Sequence, residues 1–162
     1  MDCFSGGYFT EMNVVLVEPE IPPNTGNVAR LCAATQAVLH LVGPLGFRLD
    51  DKTLKRAGMD YWEHVTWKYW DSLEALRTSA STGARFYYVT TKSKRPYTQP
   101  RYQSADYLVF GRETAGLPKA LLDANADSTI TIPMFNPKAR SLNLATAVAI
   151  VLYEAVRQVK GF

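Results

Sequence analysis

Four segments rich in glycine, proline, asparagine and serine carry most of the residues that could do chemistry. In PPNTGNVAR, residues 22–30, Asn24 or Thr25 could cap a helix whose free N–H groups would meet an anion. Arg30 lies about one turn into that helix and shares a face with Asn27. In LVFGRETAGLP, residues 108–118, Gly111 and Gly116 permit close backbone approach, and Glu113 between them offers a carboxylate for a ligand amine or for bracing the loop. In IPMFNPKARSLNLATA, residues 132–147, an apolar strand end, two prolines and a helix start with Ser141 and Asn143 make a stiff wall that suits an adenine ring. The fourth segment is a strand end at Val89 followed by Thr90, Thr91 and Lys92. Each also has a plainer reading, as a capped helix with an exposed arginine or as a strand-to-helix turn.

Several chemistries are poorly supplied. Neither GxxxxGK nor GxGxxG occurs, so there is no Walker loop and no dinucleotide fingerprint. The two histidines, His40 inside an apolar run and His64 beside Trp62 and Trp67, read as structural. Cys3 and Cys32 have no partner suited to a disulfide framework or a nucleophile–base pair, and no carboxylate cluster forms a metal or hydrolase motif, so no metal is expected. What remains is a reaction that asks little of side chains. Methyl transfer from a sulfonium donor qualifies, because the donor carries the electrophile and the protein need only align donor and acceptor and exclude water.

The elements that must position these loops follow from periodicity. Asn13 to Val17 and Val38 to Val42 are short apolar runs expected to be buried strands, separated by a helix that starts near Gly26, with Val28, Leu31, Cys32 and Thr35 at helical spacing. Asp50 to Ala57 reads as a short basic helix closed by Gly58. A brief strand is expected at Val65 to Trp67, then a helix near Asp71 to Thr78. Strands follow at Arg85 to Val89, Tyr107 to Phe110 and Ser128 to Ile132. Pro118 opens a helix to about Asn125, and Pro133 to Arg140 is a loop. The last helix, about Ser141 to Val159, is apolar most of the way round, which predicts packing on its own sheet and on a second subunit. Alternating strands and helices predict an α/β fold with a mainly parallel sheet flanked by helices.

Bulk composition sets the frame. With 47% hydrophobic residues in 162, one domain with a real core is expected over residues 12–162, preceded by an extension at 1–11 expected to be disordered. No apolar stretch reaches the roughly 18 residues of a membrane span, and the start lacks a secretion signal, so a reduced, cytoplasmic setting is expected. The net charge is +3. Lys52, Lys55 and Arg56 form one basic cluster; Lys92, Lys94, Arg95 and Arg101 form another, interleaved with Tyr97 and Tyr102, readable as an RNA contact or as a solvated loop.

Taken in order, NVVLVEPEIPPNTGNVARLCAAT, DDKTLKRAGMDYWEHV, YLVFGRETAGLP and RSLNLATAVAIVLYEAVRQ resemble the signature motifs of the SPOUT methyltransferases. Among these they are most similar to the minimal TrmL (YibK)-like tRNA wobble-nucleotide 2′-O-methyltransferases, from about Met12 to Gln158. The resemblance implies a C-terminal trefoil knot, a homodimer, tRNA as partner, and S-adenosylmethionine held at Val89, Gly111, Ile132, Ser141, Leu142 and Asn143. It implies Arg30 as the catalytic arginine, with Asn27 and Glu113 at motif positions, and transfer to the ribose of cytidine or modified uridine 34. The alternatives are another tRNA or ribosomal RNA position, or a non-catalytic RNA-binding protein of the same fold. The chain departs from the pattern at Ala34, Gln36, Ala145 and Thr146, and its FNPKA loop is one residue longer than in close relatives.

Overall fold

A computed structural model describes residues 11–56 and 62–162. The expected extension, with Cys3, lies outside the described residues apart from Glu11, as do Ala57 and Gly58.

Six strands form one sheet among the described residues: β1 Asn13–Val17, β2 Val38–Val42, β3 Trp67–Trp70, β4 Phe86–Val89, β5 Tyr107–Phe110 and β6 Thr129–Ile130. Their order is β3-β2-β1-β5-β4-β6, and every neighbouring pair is parallel. The helices are α1 Pro22–Thr35, α2 Asp51–Arg56, α3 Leu73–Ser79, α4 Lys119–Ala124 and α5 Leu144–Lys160. This is the α/β architecture that the alternation implies.

Because strand side chains alternate between faces, each central strand feeds two cores. Val14, Leu16, Leu39, Leu41, Leu108 and Phe110 face α1 and α5, against Val28, Cys32, Val148, Val151 and Leu152. Val15, Val17, Val42, Tyr88 and Val109 face the other way, against Leu76 and Leu122 of α3 and α4. Burial on both faces explains why β1 and β2 are unbroken apolar runs. His40 points into the second layer and is satisfied there: its Nε2 donates to Asn13 Oδ1 at 2.8 Å and its Nδ1 accepts from Trp70 Nε1 at 3.1 Å. Burial, with Lys68 adding to it, pushes its pKa down to about 4, so the ring is a neutral structural group.

Several boundaries are corrected. Helix α1 starts at Pro22, not near Gly26, because proline in the first turn forfeits no intrahelical bond. Its N-cap is Ile21, so neither Asn24 nor Thr25 is the cap. Strand β3 begins at Trp67 rather than ending there, with Val65 buried just before it. Strand β6 is only Thr129–Ile130, and Thr131 pairs singly with Pro96. Pro118 is the N-cap of α4 rather than its first residue. Helix α5 starts at Leu144 instead of Ser141, with the Asn143 side chain as cap, accepting from Thr146 N at 3.3 Å.

Candidate functional site

A cleft of about 470 Å³ opens beyond the carboxyl ends of β4, β5 and β6, where open α/β sheets place their ligands. It is bounded by the first turns of α1 and α5. Val89, Gly111, Ile132, Ser141, Leu142 and Asn143 all line it, so loops distant in sequence converge on one space. Glu113 and Lys92 also line it.

The floor is shaped by the turn after β5. Gly116 N donates to Arg112 O at 2.9 Å, and Gly116 has φ +65°, a left-handed conformation that glycine adopts without strain. The turn folds so tightly that a Cβ on Gly111 would collide with the backbone of Gly116 and Leu117. Glycine at 111 is therefore a packing requirement.

Glu113 joins this turn to the start of α1. Its carboxylate accepts from Glu20 N at 2.8 Å, Ile21 N at 3.1 Å and Asn24 Nδ2 at 3.3 Å. The anion expected at that helix start is thus supplied by the chain itself, and Glu113 acts as a brace. Glu20 returns the grip, accepting from Thr114 Oγ1 at 2.7 Å and Thr114 N at 3.2 Å, contacts that hold its carboxyl below the usual range. Asn24, buried, then passes the link on: its Oδ1 accepts from Asn143 Nδ2 at 2.9 Å. Three cleft walls, at residues 18–24, 111–116 and 143–147, are locked by one hydrogen-bonded chain.

Asn24 is the residue that sequence reasoning misplaced, reading it as a cap. Asn27 and Arg30 are exposed on α1 and do not line the cleft. Arg30 lies roughly 13 Å along the helix axis from Ile21.

The basic residues fall in two places. Lys55 and Arg56 are exposed at the end of α2, away from the residues lining the cleft. Lys92 and Lys94 are exposed on a segment bound to the cleft wall through Thr131 N to Arg95 O at 2.8 Å and Tyr97 N to Thr131 O at 2.8 Å. The Arg95 guanidinium is engaged with Asp127 O at 3.2 Å. Tyr102 is buried, its hydroxyl donating to Tyr97 O at 2.5 Å, so it pins this segment rather than offering a ring to solvent.

Burial pushes the Cys32 thiol up to about 12, and among the described residues no three His, Cys, Asp or Glu side chains gather as metal ligands. Nor is any helix among the described residues long and apolar enough to cross a membrane.

Comparison with known proteins agrees with this geometry. The model of the SpoU rRNA Methylase family matches residues 11–153. A protein of Escherichia coli (strain K12) named tRNA (cytidine(34)-2′-O)-methyltransferase is 49% identical over 148 residues, covering 91% of this chain and 93% of that one. A solved structure from work on 2-OH methylation of C/U34 on tRNA superposes with a TM-score of 0.89 at 44% identity, covering 96% and 100% of the two chains. The SpoU methyltransferase AviRb from Streptomyces viridochromogenes, solved with the cofactor AdoMet, superposes with a TM-score of 0.77 at 27% identity, over 92% of this chain and 60% of that one.

Proposed function

The chain belongs to the SpoU rRNA methylase family, and from that premise we propose that it methylates the ribose 2′-hydroxyl of the wobble nucleotide, cytidine or modified uridine 34, of tRNA. The observation that carries this reading is the convergence of the four sequence-distant loops on a single cleft at the carboxyl edge of a parallel sheet. The similarity to proteins named or studied for ribose methylation at tRNA position 34, at 44–49% identity over more than nine tenths of this chain, favours it over other RNA positions.

The cleft fits S-adenosylmethionine. Its volume lies within the roughly 300–1,000 Å³ of small-molecule sites. Val89, Ile132, Leu142 and Leu144 supply apolar walls, and the tight turn at Gly111 to Gly116 offers backbone polar groups at close range. When bound, the cofactor supplies an activated methyl group on a sulfonium. The chain's own part is to hold and orient. Val89, Gly111 and Ile132 would contact the cofactor chiefly through the backbone, with Ser141, Leu142 and Asn143 closing the other side, and the Glu113–Asn24–Asn143 chain would keep these walls in register.

A guanidinium makes a poor general base in proteins, so proton abstraction is not assigned to Arg30. Its role is electrostatic: it binds the phosphate beside the target ribose and favours the developing 2′-alkoxide, while water or phosphate takes the proton. Since Arg30 lies outside the cleft of its own chain, we propose a homodimer in which the arginine of one copy completes the site of the other. The part-exposed face of α5, with Tyr153, is the surface assigned to that contact. Lys92 and Lys94 beside the cleft, and Lys55, Arg56 and Arg95 further out, are assigned to the RNA backbone. A trefoil knot at the C-terminus follows from the family, and a cytoplasmic setting from the substrate.

Calorimetry with S-adenosylmethionine and label transfer to purified tRNA test this reading. We expect cofactor binding and transfer by the unaltered protein, and for Arg30→Lys a turnover reduced on the order of a hundredfold with cofactor affinity unchanged. Absence of cofactor binding would favour a non-catalytic RNA-binding protein, and near-normal turnover of Arg30→Lys would remove the bidentate role.

A further inference from the structure

Residues 135–140 form a rim between two stretches of cleft wall, Thr131 to Met134 before it and Ser141 to Leu144 after it. Phe135 on this rim is 95% exposed, more than any other large apolar side chain among the described residues. Next to Met134 at the mouth of a ligand cleft, the ring is placed to be covered by what binds there.

The rim is also stiff. Asn136 Oδ1 accepts from Lys138 N at 2.9 Å, Ala139 N donates to Asn136 O at 3.0 Å, and Pro133 and Pro137 fix φ on either side. The ring is therefore held out by a formed turn, at little further entropic cost on binding. Around it, Lys138 and Arg140 are exposed, and no acidic residue occurs from 128 to 153. An exposed aromatic followed on the same rim by two exposed cations suits a nucleobase and its neighbouring phosphates, since every base has a stackable face and the backbone is anionic. A single-stranded RNA loop supplies the ring face and the anions together, as neighbouring parts of one chain.

We propose that Phe135 stacks on an unpaired base of the RNA at the mouth of the cleft, with Lys138 and Arg140 on the neighbouring phosphates. This rests on the reading of the protein as a tRNA ribose methyltransferase and adds to it a residue that positions the target nucleotide. The ring stands beside the space assigned to the methyl donor, so the base it holds is the target or its immediate neighbour.

The test uses an anticodon stem–loop carrying 2-aminopurine in the loop, with Phe135→Ala and Phe135→Trp compared to the unaltered protein. Stacking predicts fluorescence quenching by the unaltered protein, its loss in Phe135→Ala, and its return in Phe135→Trp. For Phe135→Ala the KM for the stem–loop should rise about tenfold, while cofactor affinity and oligomeric mass stay the same. Equal quenching and equal KM in Phe135→Ala would overturn the proposal. So would a change of oligomeric mass in that variant, which would make the ring a contact between copies. Quenching does not depend on turnover. An inactive protein whose Phe135 still quenches would overturn the methyltransferase reading alone, and an active protein indifferent to Phe135→Ala would overturn the stacking alone.

Discussion

Glu113 and His40 each anchor a polar chain in an otherwise apolar molecule, and the two chains differ in what they connect. The His40 chain runs from Trp70 through His40 and Asn13 to the carbonyl of Ala105, to which Asn13 Nδ2 donates at 3.1 Å. It ties β1, β2 and β3 within the sheet and reaches no cleft residue. The Glu113 chain links three loops from three parts of the sequence, and all of them border the cleft. Polar groups that unite loops at a ligand space serve the site, whereas equally well-satisfied groups that unite strands serve the fold.

That contrast predicts a separation of effects. The largest belongs to Glu113→Ala, which strands two backbone N–H groups and the Asn24 amide and frees the cleft walls from one another. We expect kcat/KM for tRNA to fall roughly a hundredfold, as small displacements of aligned groups do, with only about 1–3 kcal/mol lost from global stability. Steady-state kinetics beside urea denaturation reads both. If stability collapses while activity per folded molecule persists, Glu113 belongs with His40.

A smaller effect, and one of stability, is expected from acid. The folded-state pKa of His40 is about 4, below the unfolded value of about 6.5. The unfolded chain therefore takes up a proton that the folded chain refuses. This contribution is fully present above pH 6.5 and declines as pH falls toward 4, and the stability lost amounts to about 3 kcal/mol once both states are protonated. Urea midpoints measured across that range should fall with pH, and fall less steeply in His40→Gln. The smallest effect is on catalysis: at pH 7.5, His40→Gln should keep turnover per folded molecule within about twofold of the original. A large loss there would erase the distinction between the two chains.

Legibility in the sequence tracked the same division. Strands β1, β2 and β5 were readable to the residue because double burial writes itself as an apolar run. Strand β3 was less so: at the sheet edge, Trp67, Lys68, Tyr69 and Trp70 are partly exposed, and their composition carries no clear alternation. The loops of the cleft could be picked out by their Gly, Pro and Asn content, and the resemblance to a known family ordered them. Periodicity alone could not say that Glu113 faces the first turn of α1, since that contact spans some 90 residues of chain. The role of Asn24 stayed hidden for a related reason. A helix start near Gly26 makes Asn24 a cap candidate, whereas the helix begins at Pro22 and leaves Asn24 as a buried connector. The exposure of Phe135 had no signature at all, because an aromatic between prolines reads equally well as part of a wall.

The position of the methylated ribose is what separates a wobble methyltransferase from other RNA methyltransferases. Mapping ribose methylation in tRNA from cells with and without the gene, and again after adding the purified protein and S-adenosylmethionine to the unmodified tRNA, tests it most directly. Methylation at nucleotide 34 should disappear with the gene and return with the protein. Unaltered methylation at 34, with a different ribose losing its mark, would contradict it.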